Sequence, residues 1–117
     1  MTRWLAISSL ENSEVVIKRH IWGVPRRYIN TIRRVKPGDT VFVYVGQEVV
    51  DRGVLPPAIT GAFEVTSEVY EDASRIFTAP AKLGNELFPL RIKLRPVKIF
   101  EPLAVSRRNI SLNSKHF

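Results

Sequence analysis

Trp22 stands immediately before Gly23, Pro25 follows, and Arg26, Arg27 and Tyr28 come directly after it. An indole on a glycine-containing turn beside cationic side chains can stack on a flat ring, as recognition of a nucleobase requires. The same octapeptide, Ile21 to Tyr28, also reads as a core tryptophan beside a turn glycine; the rest of the chain has to weigh the two. Other chemistry-bearing residues assemble less well. Glu71 and Asp72 are the only adjacent carboxylates, and neighbours in a strand or turn point apart, so a shared acid–base site is not expected. His20 and His116 lie far apart and have neither metal-ligand spacing nor an obvious triad partner. The absence of cysteine excludes disulfides, thiolate nucleophiles and cysteine-ligated zinc. No glycine-rich phosphate loop is present. The expectation is a binding protein without a cofactor, not an enzyme.

Charge points to the partner. The formal net charge is +7 and the isoelectric point about 10.3, which suits a polyanion, nucleic acid ahead of a membrane surface. The cations are not scattered evenly. Arg26, Arg33 and Arg34 fall on one side of a helix predicted to open at Pro25, with Arg27 and Lys36 at its margins. No acidic residue intervenes between Arg26 and Lys36. Arg91, Lys93 and Arg95 form the outward row of a strand. The two sets could flank one groove for a phosphate backbone, and about five such contacts would give a log-affinity against log-salt slope of roughly −4. Trp22, Tyr28, Tyr44 and Tyr70 interleave with these cations and would supply discrimination where charge supplies affinity.

The elements that must position these residues follow from spacing. Trp4–Ile7 is a short apolar run and predicts a first strand. Asn12 is placed to cap a helix running to about His20, with Glu14 in its first turn and Lys18 and Arg19 in its last. The β-branched Val15-Val16-Ile17 leaves a strand open there. Pro25 suits the first position of the second helix, in which Tyr28, Ile32 and Val35 recur as a buried stripe. Lys36-Pro37-Gly38-Asp39 is a turn, and Thr40–Val45, apolar on both faces, predicts a central strand. A loop or wide hairpin covers 47–57. Residues 58–70 alternate as a long half-buried strand, bent at Gly61. A turn of helix is expected at 71–77 and a rim loop at 78–89. Leu90–Arg95 alternates apolar inward and basic outward, and Pro96 marks a bulge or an edge. Phe100–Leu103 closes that strand, and the basic segment 104–117 has few apolar anchors.

At 117 residues, 44% hydrophobic and 25% charged, the chain fits one soluble domain, residues 1–117. No apolar run is long enough to span a bilayer, and the N-terminus lacks a signal-peptide core, so a cytoplasmic protein without membrane association is expected. Several non-locally paired strands with two or three short helices define an α+β fold, a small mixed β-barrel or a strongly curved sheet.

The ordered set Trp4-Leu5, Asn12, Ile21-Trp22-Gly23-Val24-Pro25, Lys36-Pro37-Gly38-Asp39 and Val43-Tyr44 resembles the EVE domain, a PUA-like family related to YTH domains. The match continues through Ile59-Thr60-Gly61, Glu64-Val65, Tyr70-Glu71-Asp72, Pro89-Leu90-Arg91 and Pro102-Leu103, from Arg3 to Leu103 in family order. The resemblance implies a PUA-like barrel whose pocket accepts a base flipped out of nucleic acid, a modified base among the candidates. It implies Trp22 as the cage tryptophan beside Gly23, Ser9 and Asn12 at the base edge, and Tyr44 and Tyr70 near the pocket. Family members often carry a further aromatic inside the first helix, where this chain has Ser13, or on the loop that here contains Phe77 and Phe88. The family also commonly continues further, so the C-terminal segment reads as shortened. The expected function is therefore a reader of a flipped-out methylated or hydroxymethylated base in DNA or RNA, acting as a monomer or weak homodimer. A general PUA-type RNA-binding module and a small-molecule or nucleotide-binding domain are the alternatives.

Overall fold

The computed structural model describes residues 1–50, 53–79, 87–100 and 115–116. The chain runs β1 (Arg3–Ser8), α1 (Leu10–Arg19), β2 (Ile21–Val24), a 3-10 turn (Arg26–Tyr28) continued by α2 (Ile29–Ile32), and β3 (Thr40–Val45). A hairpin of β4 (Glu48–Val50) and β5 (Gly53–Leu55) follows, then β6 (Ala58–Val65), β7 (Tyr70–Glu71), β8 (Leu90–Ile99) and β9 (Lys115–His116). One seven-stranded sheet has the order β2-β8-β6-β3-β1-β9, with β7 also paired to β8. It curls into a half-barrel. β1 lies parallel to β3 and β9, and the other ladders of this sheet are antiparallel.

Strand β8 joins the two halves of the curl. Its first residues pair with β2 on one side and β7 on the other, and its remainder pairs with β6. Two bulges bend the sheet beside β6. The β3–β6 register shifts after Val43, leaving Thr60 as the extra residue next to Gly61. The β6–β8 register shifts between Ala62 and Phe63, leaving Val97 extra next to Pro96. Both irregularities fall where a glycine and a proline weaken a regular ladder.

The main core takes Trp4 and Ala6 from β1, Val41 and Val43 from β3, Phe63 and Val65 from β6, and Leu90, Ile92 and Leu94 from β8. Val16 of α1, Ile32 of α2 and Val35 close it from the helix side. Each Val, Leu, Ile or Phe among them, fully buried, contributes roughly 1.5–3 kcal/mol over its exposed state.

Several expectations change. The first helix is capped by Ser9, whose side chain accepts the Asn12 N–H at 3.1 Å, and not by Asn12. Asn12 lies inside the first turn, where its buried amide is committed elsewhere. The helix absorbs Val15-Val16-Ile17, because Val16 has a core site to fill. The second helix is short, a 3-10 turn and a single α turn, and Tyr28 is exposed while Ile32 and Val35 are buried. Strand β6 ends at Val65 and is buried on both faces from Ala58 to Phe63, as its place between β3 and β8 dictates. The Thr60 hydroxyl survives there by sharing a hydrogen bond of 2.6 Å with the buried Ser13 hydroxyl. Residues 71–77 form a two-residue strand and bends, with no helical turn. The tip of the 47–57 hairpin, most of the rim loop (80–86), and the strand closure and tail (101–114 and 117) lie outside the described residues.

Candidate nucleic-acid interface

Strand pairing decides which predicted site residues meet. Trp22 is the Cα partner of Ile92, Gly23 of Arg91, Ile21 of Lys93, and Tyr70 pairs with Arg91 from the opposite side. Trp22, Gly23, Arg91, Lys93 and Tyr70 therefore occupy one patch of β2, β8 and β7. Trp22 is only 3% exposed and meets Phe77 edge-on, with ring centroids 6.3 Å apart and planes at 76°. Phe77 in turn stacks on Phe88 at 5.9 Å and 20°. These three rings gather although the first and last stand 66 positions apart. Such edge-to-face and offset pairs add about 0.5–1.5 kcal/mol each beyond area burial.

Gly23 is what lets the phenylalanine segment approach. A Cβ at that position would stand 2.8 Å from Phe77 Cε2, 2.9 Å from the Phe88 carbonyl oxygen and 3.2 Å from Arg91 Cγ. The glycine therefore serves close packing, since its φ lies outside the left-handed range.

Asn12 fastens the same segment from the other side. Its Nδ2 donates to the Thr78 carbonyl at 2.8 Å and its Oδ1 accepts the Thr78 N–H at 2.7 Å. Ser9, the cap of α1, is only half-buried and stands one turn away from Asn12. Tyr44 projects from the face of β3 opposite Val41 and Val43, away from the cluster that holds Trp22. The structure thus groups Trp22, Gly23, Asn12 and Tyr70 around the Phe77 segment and leaves Tyr44 apart from them.

The outward basic row of β8 loses its first member. Arg91 is fully buried, while Lys93 and Arg95 are exposed. The Arg91 guanidinium donates from Nε to the Phe88 carbonyl at 3.1 Å, from Nη1 to Ser74 Oγ at 2.7 Å, and from Nη2 to the Ser74 carbonyl and, at 3.3 Å, to that of Leu87. Asp72 lies 3.5 Å from Nη1, and the Phe77 ring centroid lies 5.4 Å from Cζ. Alternation alone predicted an outward side chain; the returning segments around Ser74 and Phe88 cover it.

Among the exposed cations, several already face carboxylates. Arg26 pairs with Glu71 at 2.7 Å, Lys36 with Glu68 at 3.2 Å, and Arg95 with Glu64. The hydrogen bond and charge of Arg26 hold the Glu71 carboxyl below its ordinary pKa, and those of Glu71 raise that of Arg26. Lys93 instead has its ammonium 5.8 Å from the Tyr70 ring centroid, and the Arg34 guanidinium lies 6.0 Å from that of Trp4. Burial raises the Tyr70 hydroxyl pKa, as does the nearby Asp72, against the opposing charge of Arg91. The Arg26–Glu71 pair spans from the turn after β2 to β7, which is itself paired to β8.

A half-barrel of mixed strands with two short helices defines a small α+β protein of PUA-like fold. The model of the EVE domain matches residues 2–115, and the chain belongs to that family, which is PUA-like and in general binds nucleic acid. A UPF0310 protein of Pyrococcus horikoshii is 48% identical over 108 residues, covering 88% of this chain and 74% of that protein. A UPF0310 protein of Pyrococcus abyssi is 47% identical over 107 residues, with the same coverage of each chain. The B2 protein of Daucus carota is 29% identical over 87 residues, 74% of this chain and 39% of its own length. No helix among the described residues is long and apolar enough to cross a membrane.

Proposed function

We propose that this protein reads a modified base flipped out of DNA or RNA beside Trp22, holding the flanking backbone on the cationic surface around α2 and β8. The observation that carries the reading is the Trp22–Phe77–Phe88 ring cluster, in a chain that also exposes Arg33, Arg34 and Lys93. An indole face stacks on a planar base, and an added methyl group gains apolar contact beside such rings. Trp22 is covered by Phe77 as it stands, so a base enters by displacing the Phe77 edge from the indole. The cations contribute affinity without sequence information. The proposed role is binding and not catalysis.

The test is a titration of the full chain with short oligonucleotides, plain or carrying one methylated or hydroxymethylated base, at two salt concentrations. Wild type is compared with Trp22→Phe, which keeps a ring in the core, and with Arg33→Glu/Arg34→Glu. A preference of about tenfold for one modified base, roughly 1.4 kcal/mol, that falls in Trp22→Phe is the expected result. Salt-dependent binding indifferent to modification and to Trp22 would sink the reading and leave a general nucleic-acid binder.

A further inference from the structure

We infer that Arg91 is a positioning residue for the base site: its buried guanidinium holds together the two chain segments that present Phe77 and Phe88 to Trp22. The inference rests on the base-reading proposal for its functional meaning, but its structural half stands on geometry alone. The alternation along β8 does not distinguish Arg91 from Lys93 and Arg95, which share its face of the strand. Its environment does. A fully buried cation is costly unless its donors are satisfied, and here four of the acceptors are oxygens of Ser74, Leu87 and Phe88, three of them backbone carbonyls.

Those acceptors belong to the two ends of one excursion of the chain. Ser74 lies three residues before Phe77, and Leu87 adjoins Phe88. A second link between the ends, the Asp72 N–H to the Pro89 carbonyl at 2.9 Å, closes the same arrangement. Asp72 also accepts the Ser74 N–H at 2.8 Å, which turns the Ser74 carbonyl and hydroxyl toward the guanidinium. The planar fork of arginine can bind both ends at once from a single strand position; a lysine ammonium has no such fork. The Phe77 ring then lies against the same guanidinium, 5.4 Å from Cζ, and its edge meets Trp22. Arg91 thus fixes where Phe77 stands, and through Phe77 how closely a base can be held against Trp22. Asn12 secures Thr78, one residue beyond, so the ring is set between two anchors.

Two kinds of readout test this. Without ligand, NMR contacts between the Phe77 ring and the Trp22 indole should be present in wild type, absent in Arg91→Met and partly restored in Arg91→Lys. The Val41, Val43 and Phe63 core resonances should stay dispersed in all three. With ligand, the probe is an oligonucleotide carrying the one modified base that wild type prefers, compared with its plain counterpart. Arg91→Met should bring the preference down to about onefold while leaving the salt slope and the affinity for the plain strand within about threefold. A merely structural loss would lower both affinities together. Persistence of the Phe77–Trp22 contacts in Arg91→Met would overturn the inference. So would retention of the full preference.

If Arg91→Met does not fold, Ser74→Ala replaces it, because it removes one acceptor at an exposed position. A several-fold fall in preference supports the inference, and an unchanged preference with unchanged ring contacts refutes it. If wild type shows no preference for any modified base, the base-reading proposal fails, and the ring contacts alone decide whether Arg91 positions Phe77.

Discussion

Asn12 and Thr78, 66 positions apart, exchange two hydrogen bonds, Nδ2 to the Thr78 carbonyl at 2.8 Å and the Thr78 N–H to Oδ1 at 2.7 Å. The carboxamide thereby stands in for one rung of a strand ladder, and it does so from the first turn of a helix. Only an amide offers a donor and an acceptor side by side in this way. Asn12→Ala leaves both backbone groups of Thr78 without the partner they have in α1. Equilibrium unfolding should show a loss of about 1–3 kcal/mol, the net worth of two part-buried hydrogen bonds. Hydrogen exchange should quicken at the Thr78 amide in particular. Protection of that amide unchanged in the mutant would contradict the assignment.

Gly23→Ala tests the close approach. The new Cβ meets a backbone oxygen at 2.9 Å as well as a ring atom at 2.8 Å. A ring can rotate, but the Phe88 carbonyl is held by Arg91 Nε and cannot yield cheaply. A destabilisation of about 1–3 kcal/mol is expected, as for other overpacked sites, together with weaker Phe77–Trp22 contact. Chemical denaturation checks the first and NMR the second. Gly46→Ala, with open space around its Cβ, serves as the control and should change stability far less.

Asp39 predicts the acid limb of stability. Its carboxylate accepts the Thr2 N–H, the Trp4 indole N–H and the Lys36 N–H, each at 3.0 Å. Burial pushes its pKa up, but the three donors and the nearby N-terminal charge outweigh burial, and the net direction is down. A group with a depressed folded-state pKa contributes fully above its unfolded value, near 3.9 for aspartate, and loses that contribution as pH falls through the folded value. Wild-type stability should therefore fall on the acid side below the ordinary aspartate range. Asp39→Asn should be less stable at pH 7 by about 2–3 kcal/mol and show a flatter acid slope. Parallel pH–stability curves for the two proteins would remove Asp39 from the explanation.

The cationic surface makes a prediction of rank. Arg33 and Arg34 are exposed and face no carboxylate among the described ion pairs, whereas Arg26 and Arg95 are engaged by Glu71 and Glu64. Engaging a phosphate with Arg26 or Arg95 first requires breaking an ion pair. Single alanine variants of Arg33, Arg34 and Lys93 should each reduce the log–log salt slope by about one, and Arg26→Ala and Arg95→Ala by less. Equal slopes for all five variants would show that the ion pairs do not decide which cations contact phosphate.

The order of elements was legible before any coordinates. Periodicity and turn chemistry placed β1, β3 and β8, the Lys36–Asp39 turn and the bulge at Pro96, because these are local consequences of residue type. The basic character of residues 26–36 and of β8 was equally local, since charge is read directly from the side chains. Where tertiary contact competed with a local rule, the local rule lost. Asn12 has good capping chemistry, yet Ser9 caps the helix because Asn12 is drawn to Thr78. Tyr28 has the spacing of a core residue, yet the helix is too short to bury it.

Arg91 obeys the alternation of its strand and still ends inside, because residues 72–77 and 87–88 return over that face. A strand pattern says which side a side chain takes, not whether another segment will cover that side. The meeting of Trp22, Phe77 and Phe88 is of the same kind. By itself the sequence determined an α+β chain with a cationic surface and a tryptophan beside a glycine. Which rings meet that tryptophan, and which cations stay free to meet an anion, were decided by non-local pairing across β2, β8 and β7.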